Sequence, residues 1–177
     1  LPEGRNGKMA DLLMRMDRAN ADMKRLIETF LFLGRENDVA DCGETFDLND
    51  EIQSVIESNG YLLTEETSFV NALHGPLHLQ QPEKYVSVIL DNLVRNAAQN
   101  TMQGRVVIGA SHDLIYVEDT GIGFPEGHEK PAPYQTGRSD GMGLGLNIVA
   151  RICQLQNWQL NIESGPSNGS RVSVFFS

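Results

Sequence analysis

Asn92-Leu93-Val94-Arg95-Asn96-Ala97, then Asp119-Thr120-Gly121-Ile122-Gly123, then Gly141-Met142-Gly143-Leu144-Gly145-Leu146: the reading of the chain turns on these three runs and their order. The first lies on a helical stretch. It puts two side-chain amides four residues apart on one helix face, while Leu90, Leu93 and Ala97 turn to the core. An amide oxygen suits Mg²⁺, which keeps several waters and takes other oxygens from phosphate. Asn96 is therefore the expected metal ligand, with Asn92 beside it at the phosphate or a metal-bound water. In the second run Asp119 closes an apolar strand, and two glycines let the backbone turn tightly against a flat ligand. Its carboxylate can accept a hydrogen bond from the exocyclic amine of adenine, a donor that guanine lacks at that place. In the third run Gly141, Gly143 and Gly145 flank Leu144 at the start of an amphipathic helix, where free N–H groups and the helix dipole favour phosphate. No Gly-Lys-Ser/Thr follows, so this is not a Walker loop. The preceding segment is a polar loop rather than a strand, unlike a dinucleotide fingerprint. Taken singly, the runs also read as exposed helix asparagines, a strand-end turn and a glycine linker. Their order favours a nucleotide site.

Composition narrows the surroundings. The 177 residues allow one sizeable core plus a small extra element. A formal charge of −10 without a Lys/Arg cluster would repel a phosphate backbone, so nucleic acid is not an expected partner. Cys42 and Cys153 are far apart and have no CxxC spacing, which reads as reduced thiols of a cytoplasmic domain. No apolar run approaches the ~18 residues of a membrane span. The chain begins at Leu1 rather than Met, so a fragment is expected, and a membrane anchor elsewhere in the parent stays open.

Upstream of the three runs, Met9, Leu12, Met16, Ala19, Met23, Leu26, Phe30 and Leu33 alternate in steps of three and four, with Leu13 and Ile27 widening the stripe. That is a heptad seam, which wants a partner helix. Gly34 and the polar residues Arg35 to Asp38 end it. Domains are expected at 1–37 and 38–177. Beyond the first, Asn49 is the expected cap of a helix ending at Asn59-Gly60. Tyr61 to Leu63 and Ser68 to Leu73 read as short strands. A helix follows Pro82. Arg105 to Ile108 and Leu114 to Val117 form a hairpin about Ser111-His112-Asp113. Residues 124–140 are a loop rich in Pro, Gly and charge. A helix from Leu144 to Gln156 turns Leu144, Ile148, Ile152 and Leu155 to one face, and strands near Trp158–Glu163 and Arg171–Phe176 close the chain. The expected class is α+β: a two-layer sandwich with helices on one face of a mixed sheet.

These residues together resemble the ATP-binding catalytic domain of bacterial sensor histidine kinases, in the superfamily shared with gyrase, the ninety-kilodalton heat-shock chaperone and MutL. Asn92 to Ala97 resembles the family's N-box, Asp119 to Gly123 its first glycine box and Gly141 to Leu146 its second. Gly169-Ser170 resembles a Gly-Thr pair whose hydroxyl helps hold the adenine-binding Asp. The heptad helix resembles the second helix of the dimerisation and phosphotransfer hairpin. The resemblance implies a Bergerat-type fold, ATP and Mg²⁺ as cofactors, homodimerisation through the N-terminal helix and a response-regulator receiver domain as partner. Arg138, nearer the second glycine box than Lys130, is the expected phosphate contact of the lid, and Tyr134 its aromatic remnant. Gln99 and Asn100 stand where family members often carry a basic residue and an aromatic.

The implied activity is that of a protein-histidine kinase whose phosphoacceptor is absent here. His112-Asp113 falls in a turn and His128-Glu129 in the lid, whereas an acceptor needs a helix. His74 and His78 flank Gly75-Pro76 and lack a third metal ligand nearby. Relatives that hydrolyse ATP place a carboxylate four residues before the magnesium Asn. Asn92 holds that position here and cannot act as a base, which favours transfer over hydrolysis. The alternative is a catalytically silent nucleotide-binding and dimerisation module, to which Gln99 and Asn100 point. An anti-sigma-factor-type kinase shares the boxes but normally lacks the heptad helix.

Overall fold

The computed structural model describes residues 45–123, 144–164 and 169–176, together with seven helical positions between Met9 and Ile27. The chain divides into two units, Leu1–Val39 and Ala40–Ser177. In the first, Met9, Leu12, Leu13, Met16, Asn20, Met23 and Ile27 have helical backbone. Its six apolar members are each 55–62% exposed, so the seam is presented rather than buried. Ala19, Leu26, Phe30 and Leu33 lie outside the described residues.

The second unit runs β1 (Phe46–Asp47), α1 (Leu48–Asn59), a 3₁₀ turn (Gly60–Leu62), β2 (Thr67–Asn71), β3 (His78–Leu79), α2 (Glu83–Asn100), β4 (Gly104–Ala110), β5 (Leu114–Asp119), α3 (Leu144–Gln156), β6 (Gln159–Ser164) and β7 (Ser170–Phe175). A five-stranded sheet has the order β2-β4-β5-β7-β6, with β2 and β4 parallel and the other neighbours antiparallel. The mixed sheet and helix layer bear out the expected α+β sandwich. The two-residue strands β1 and β3 form a separate small ladder.

Alternation along the strands assigns the faces. Val106 and Ile108 of β4, Ile115 and Val117 of β5, and Val172 and Val174 of β7 are all buried beneath the helices. On the opposite face Arg171 lies 3.9 Å over the Tyr116 ring and 3.3 Å from the Glu118 carboxylate. In the helix layer α2 is central, packing on α1 and α3 and crossing β4 and β5. It therefore buries a broad face: Val86, Ile89, Leu90, Leu93, Val94, Ala97 and Ala98.

Three local expectations are corrected. The cap of α1 is Asp47 rather than Asn49, because the Asp47 carboxylate accepts from both Asn49 N–H and Leu77 N–H at 3.0 Å. Asn49 instead sits in the helix and accepts from the Asn71 amide at 2.9 Å. Tyr61 and Leu62 belong to a 3₁₀ turn, not a strand, since Leu63 N–H closes back on the Gly60 carbonyl at 3.2 Å. The buried face of α3 is Ile148, Val149, Ile152 and Cys153, while Leu155 is partly exposed.

Burial pushes the Cys153 thiol from its ordinary 9.0 up to about 12, against a smaller opposing effect of a backbone hydrogen bond. The neutral thiol is thus a core side chain and a poor nucleophile. In a Cys42→Ser background, disulfide-exchange reagents in mildly alkaline buffer should modify Cys153 only at the rate of unfolding. Modification of the folded protein at the rate of a free thiol would contradict this packing.

Candidate functional site

Asp119 is the last residue of β5 and follows Ile115 and Val117 onto the helix-covered face, so the strand period carries a carboxylate into the sandwich. It is 6% exposed. Ser170 opens β7 directly opposite, in register with Asp119, and its hydroxyl donates to Asp119 Oδ2. The Gly121 N–H donates to Oδ1 at 2.8 Å. No Arg or Lys pairs with this carboxylate among the described residues, so these two donors offset its desolvation. Each oxygen has one partner among the described residues and retains acceptor capacity.

Two glycines permit this arrangement. Gly169 has φ +73°, and a Cβ there would overlap the Asp119 carbonyl oxygen. A Cβ at Gly121 would overlap the Asn100 carbonyl oxygen and lie 2.9 Å from Asp119 Oδ1. The loop thus lies directly on the end of α2, where Ile122 N–H donates to the Asn100 carbonyl at 3.3 Å. Gly123 follows at φ +70°, and Ile122 is 67% exposed.

Helix α2 brings Asn96 to the same end of the fold. Asn96 is half-buried, and its side-chain amide has one partner among the described residues, the Asn100 amide nitrogen at 3.4 Å. Its remaining amide positions have no partner among the described residues. Asn92 lies deeper in the helix layer. It is only 7% exposed, donates to the Val88 carbonyl at 2.7 Å, and turns Oδ1 toward Gly145, where an added Cβ would lie 3.2 Å away. A central helix flanked on two sides buries more than one stripe, and Asn92 falls in that wider face. Asn92 Oδ1 thus faces the first turn of α3, in the third glycine run, and Gly145 permits the close approach.

Of the expected site residues, the structure brings together Asp119, Gly121 and Ser170, and links this cluster through Asn100 to Asn96. Leu144 opens α3 and Gly145 lies against Asn92. Gly141, Gly143, Arg138, Lys130 and Tyr134 lie outside the described residues. Sequence reasoning missed Asn100 as the joint between the runs, although its spacing of four from Asn96 was a usable signal. His74 and His78 gather no further ligands, and no metal-holding cluster of His, Cys, Asp or Glu occurs among the described residues.

A family model described as "Histidine kinase-, DNA gyrase B-, and HSP90-like ATPase" matches residues 81–177, which span α2, β5, α3 and β7. The chain belongs to this family. Its relatives include the virulence sensor protein BvgS of Bordetella bronchiseptica, 32% identical over 130 residues, covering 64% of this chain and 10% of that protein. The signal transduction histidine-protein kinase ArlS of Staphylococcus aureus is 26% identical over 167 residues, covering 86% of this chain and 37% of that protein. The chain thus spans well under half the length of either relative. Among solved structures, the cytoplasmic segment of histidine kinase QseC superposes with TM-score 0.61 at 20% identity, covering 89% of this chain and 93% of that one. Full-length ShkA in complex with AMPPNP gives 0.70 at 22%, covering 90% and 37%. Family, relatives and fold agree on an ATPase domain of the sensor-histidine-kinase type. No helix among the described residues is long and apolar enough to cross a membrane.

If the Ser170 hydroxyl holds the carboxylate, Ser170→Ala should lower unfolding free energy by about 1–3 kcal/mol, the cost of leaving a buried acceptor short of a partner. Ser170→Thr should restore it. Urea unfolding of the three proteins checks this, and an Ala variant as stable as the native chain would refute the role.

Proposed function

We propose that residues 38–177 bind ATP with Mg²⁺ and present its γ-phosphoryl group to a histidine on a helix outside this sequence, for onward transfer to an Asp of a response-regulator receiver domain. Residues 1–37 supply one helix of a homodimerisation hairpin in the parent protein. The observation that carries this reading is Asp119: a buried carboxylate, held by Ser170 and Gly121 and paired with no cation among the described residues, with acceptor capacity left for an exocyclic amine.

Each residue then has a chemical task. Asp119 accepts from the adenine amine, and Gly121 and Gly123 let the base approach the backbone. Asn96 offers its amide oxygen to the metal. Gly141, Gly143, Leu144 and Gly145 bring backbone N–H groups to the phosphates at the start of α3. Arg138 approaches the γ-phosphate from the lid. Bound magnesium would supply charge neutralisation on the phosphates during in-line attack. Asn92, an amide rather than a carboxylate and turned into the helix interface, provides no base for water, which favours transfer over hydrolysis. The presented seam at Met9, Leu12, Met16 and Met23 supports a second helix as its partner.

Calorimetric titration with ATP, with and without Mg²⁺, tests the site. The native chain should bind more tightly with the metal. Asp119→Asn should weaken binding in both conditions by about tenfold or more, as expected for losing a charged acceptor. Asn96→Ala should remove chiefly the magnesium-dependent part. Absence of binding by the native chain at millimolar nucleotide would reject the catalytic reading and leave a dimerisation module.

A further inference from the structure

Asn100 is committed at both its backbone and its side chain. Its carbonyl accepts from Ile122 N–H at 3.3 Å and lies so near Gly121 that no Cβ would fit. Its side-chain nitrogen lies 2.8 Å from the Asn96 carbonyl oxygen and 3.4 Å from Asn96 Oδ1. We propose that Asn100 is a positioning residue that turns the Asn96 amide oxygen toward the metal, and so couples the adenine end of the site to its magnesium end. This rests on the nucleotide-binding reading above.

Donors and acceptors decide which way the Asn96 amide turns. A side-chain amide has nearly the same shape in either orientation, but a metal ion binds its oxygen and not its NH₂. The Asn96 main-chain carbonyl can only accept, so the Asn100 group facing it must be NH₂. The second hydrogen of that NH₂ then faces the Asn96 side chain and favours oxygen there. One lone pair of Oδ1 is engaged and the other stays open. At 3.4 Å this second bond is weak, so it acts by selecting an orientation rather than by adding stability. The Asn96 amide has no other partner among the described residues to make that selection. Groups that orient a metal ligand in this way typically matter about tenfold to a hundredfold in metal affinity.

Three substitutions separate orientation from structure. Asn100→Leu keeps the size and removes both donors. Asn100→Ser can still bond the Asn96 carbonyl, and so keep the helix end, but has no second hydrogen for Oδ1. Asn100→Gln restores both donors on a longer arm. ATP binding is measured by calorimetry in Mg²⁺ and in chelator, alongside thermal unfolding. The magnesium-dependent gain in affinity should fall about tenfold in the Leu and Ser variants and return largely in Gln, while binding in chelator stays within about twofold of native. A Ser variant that keeps the full magnesium gain would overturn the proposal. So would equal losses with and without metal, which would mark a structural role. If the native chain itself shows no magnesium-dependent gain, the site reading fails, and this proposal with it. If the gain is present and survives both the Leu and the Ser substitutions, the reading stands and only the role of Asn100 falls.

Discussion

Burying a carboxylate without a cation beside it costs several kcal/mol unless hydrogen-bond donors take the place of water. Asp119 is buried and pairs with no cation among the described residues, and much of the surrounding geometry follows from supplying its donors. Strand β7 must place Ser170 in register opposite it, and the chain must turn at once so that Gly121 N–H reaches back. Gly169 must enter β7 with positive φ hard against the Asp119 backbone. The result is a fixed negative acceptor under the helix layer, at the edge where the loop after β5 meets the end of α2. A solvated carboxylate would gain little by binding an amine. One already desolvated and aimed would discriminate between bases in the proposed role, because a wrong base would leave it short of a partner.

Helix α2 distributes the remaining roles by its period. Asn92, Asn96 and Asn100 are spaced by four, and descend from the interior of the helix layer to its end. Asn92 is buried against the start of α3, Asn96 is half-buried, and Asn100 holds the loop that follows Asp119. One type of amide side chain thus meets three different surroundings, according to its depth along a single helix. Core packing of Ile89, Leu90, Leu93 and Val94 fixes the rotation of the helix, and with it all three amides.

Much of this was legible in the sequence, and the failures have physical causes. Asp119 was readable because an apolar alternating strand ends in an acid followed by two glycines, and that pattern fixes both the face and the turn. The hairpin about Ser111 to Asp113 and the helix after Pro82 were readable from period and turn chemistry. The depth of Asn92 was not legible, because a helix with neighbours on both sides buries a face wider than one stripe. Tyr61 and Leu62 have strand-like side chains but close a local turn, an outcome decided by tertiary context. Asp47 outcompeted Asn49 as cap because its carboxylate also engages Leu77, thirty residues away and invisible to a local reading. The ladder of β1 and β3 is only two residues long on each side, too short for any period to register.

The most direct test of the account is a comparison of ATP with inosine triphosphate, which carries a carbonyl oxygen where adenine has its amine, on the native chain and on Asp119→Asn. If the Asp119 carboxylate reads the base, the native chain should prefer ATP by about tenfold to a hundredfold. The Asn variant, now able to donate as well as accept, should lose that preference. Equal affinity of the native chain for the two nucleotides, or a preference untouched by Asp119→Asn, would contradict the central claim that this buried carboxylate is the adenine acceptor.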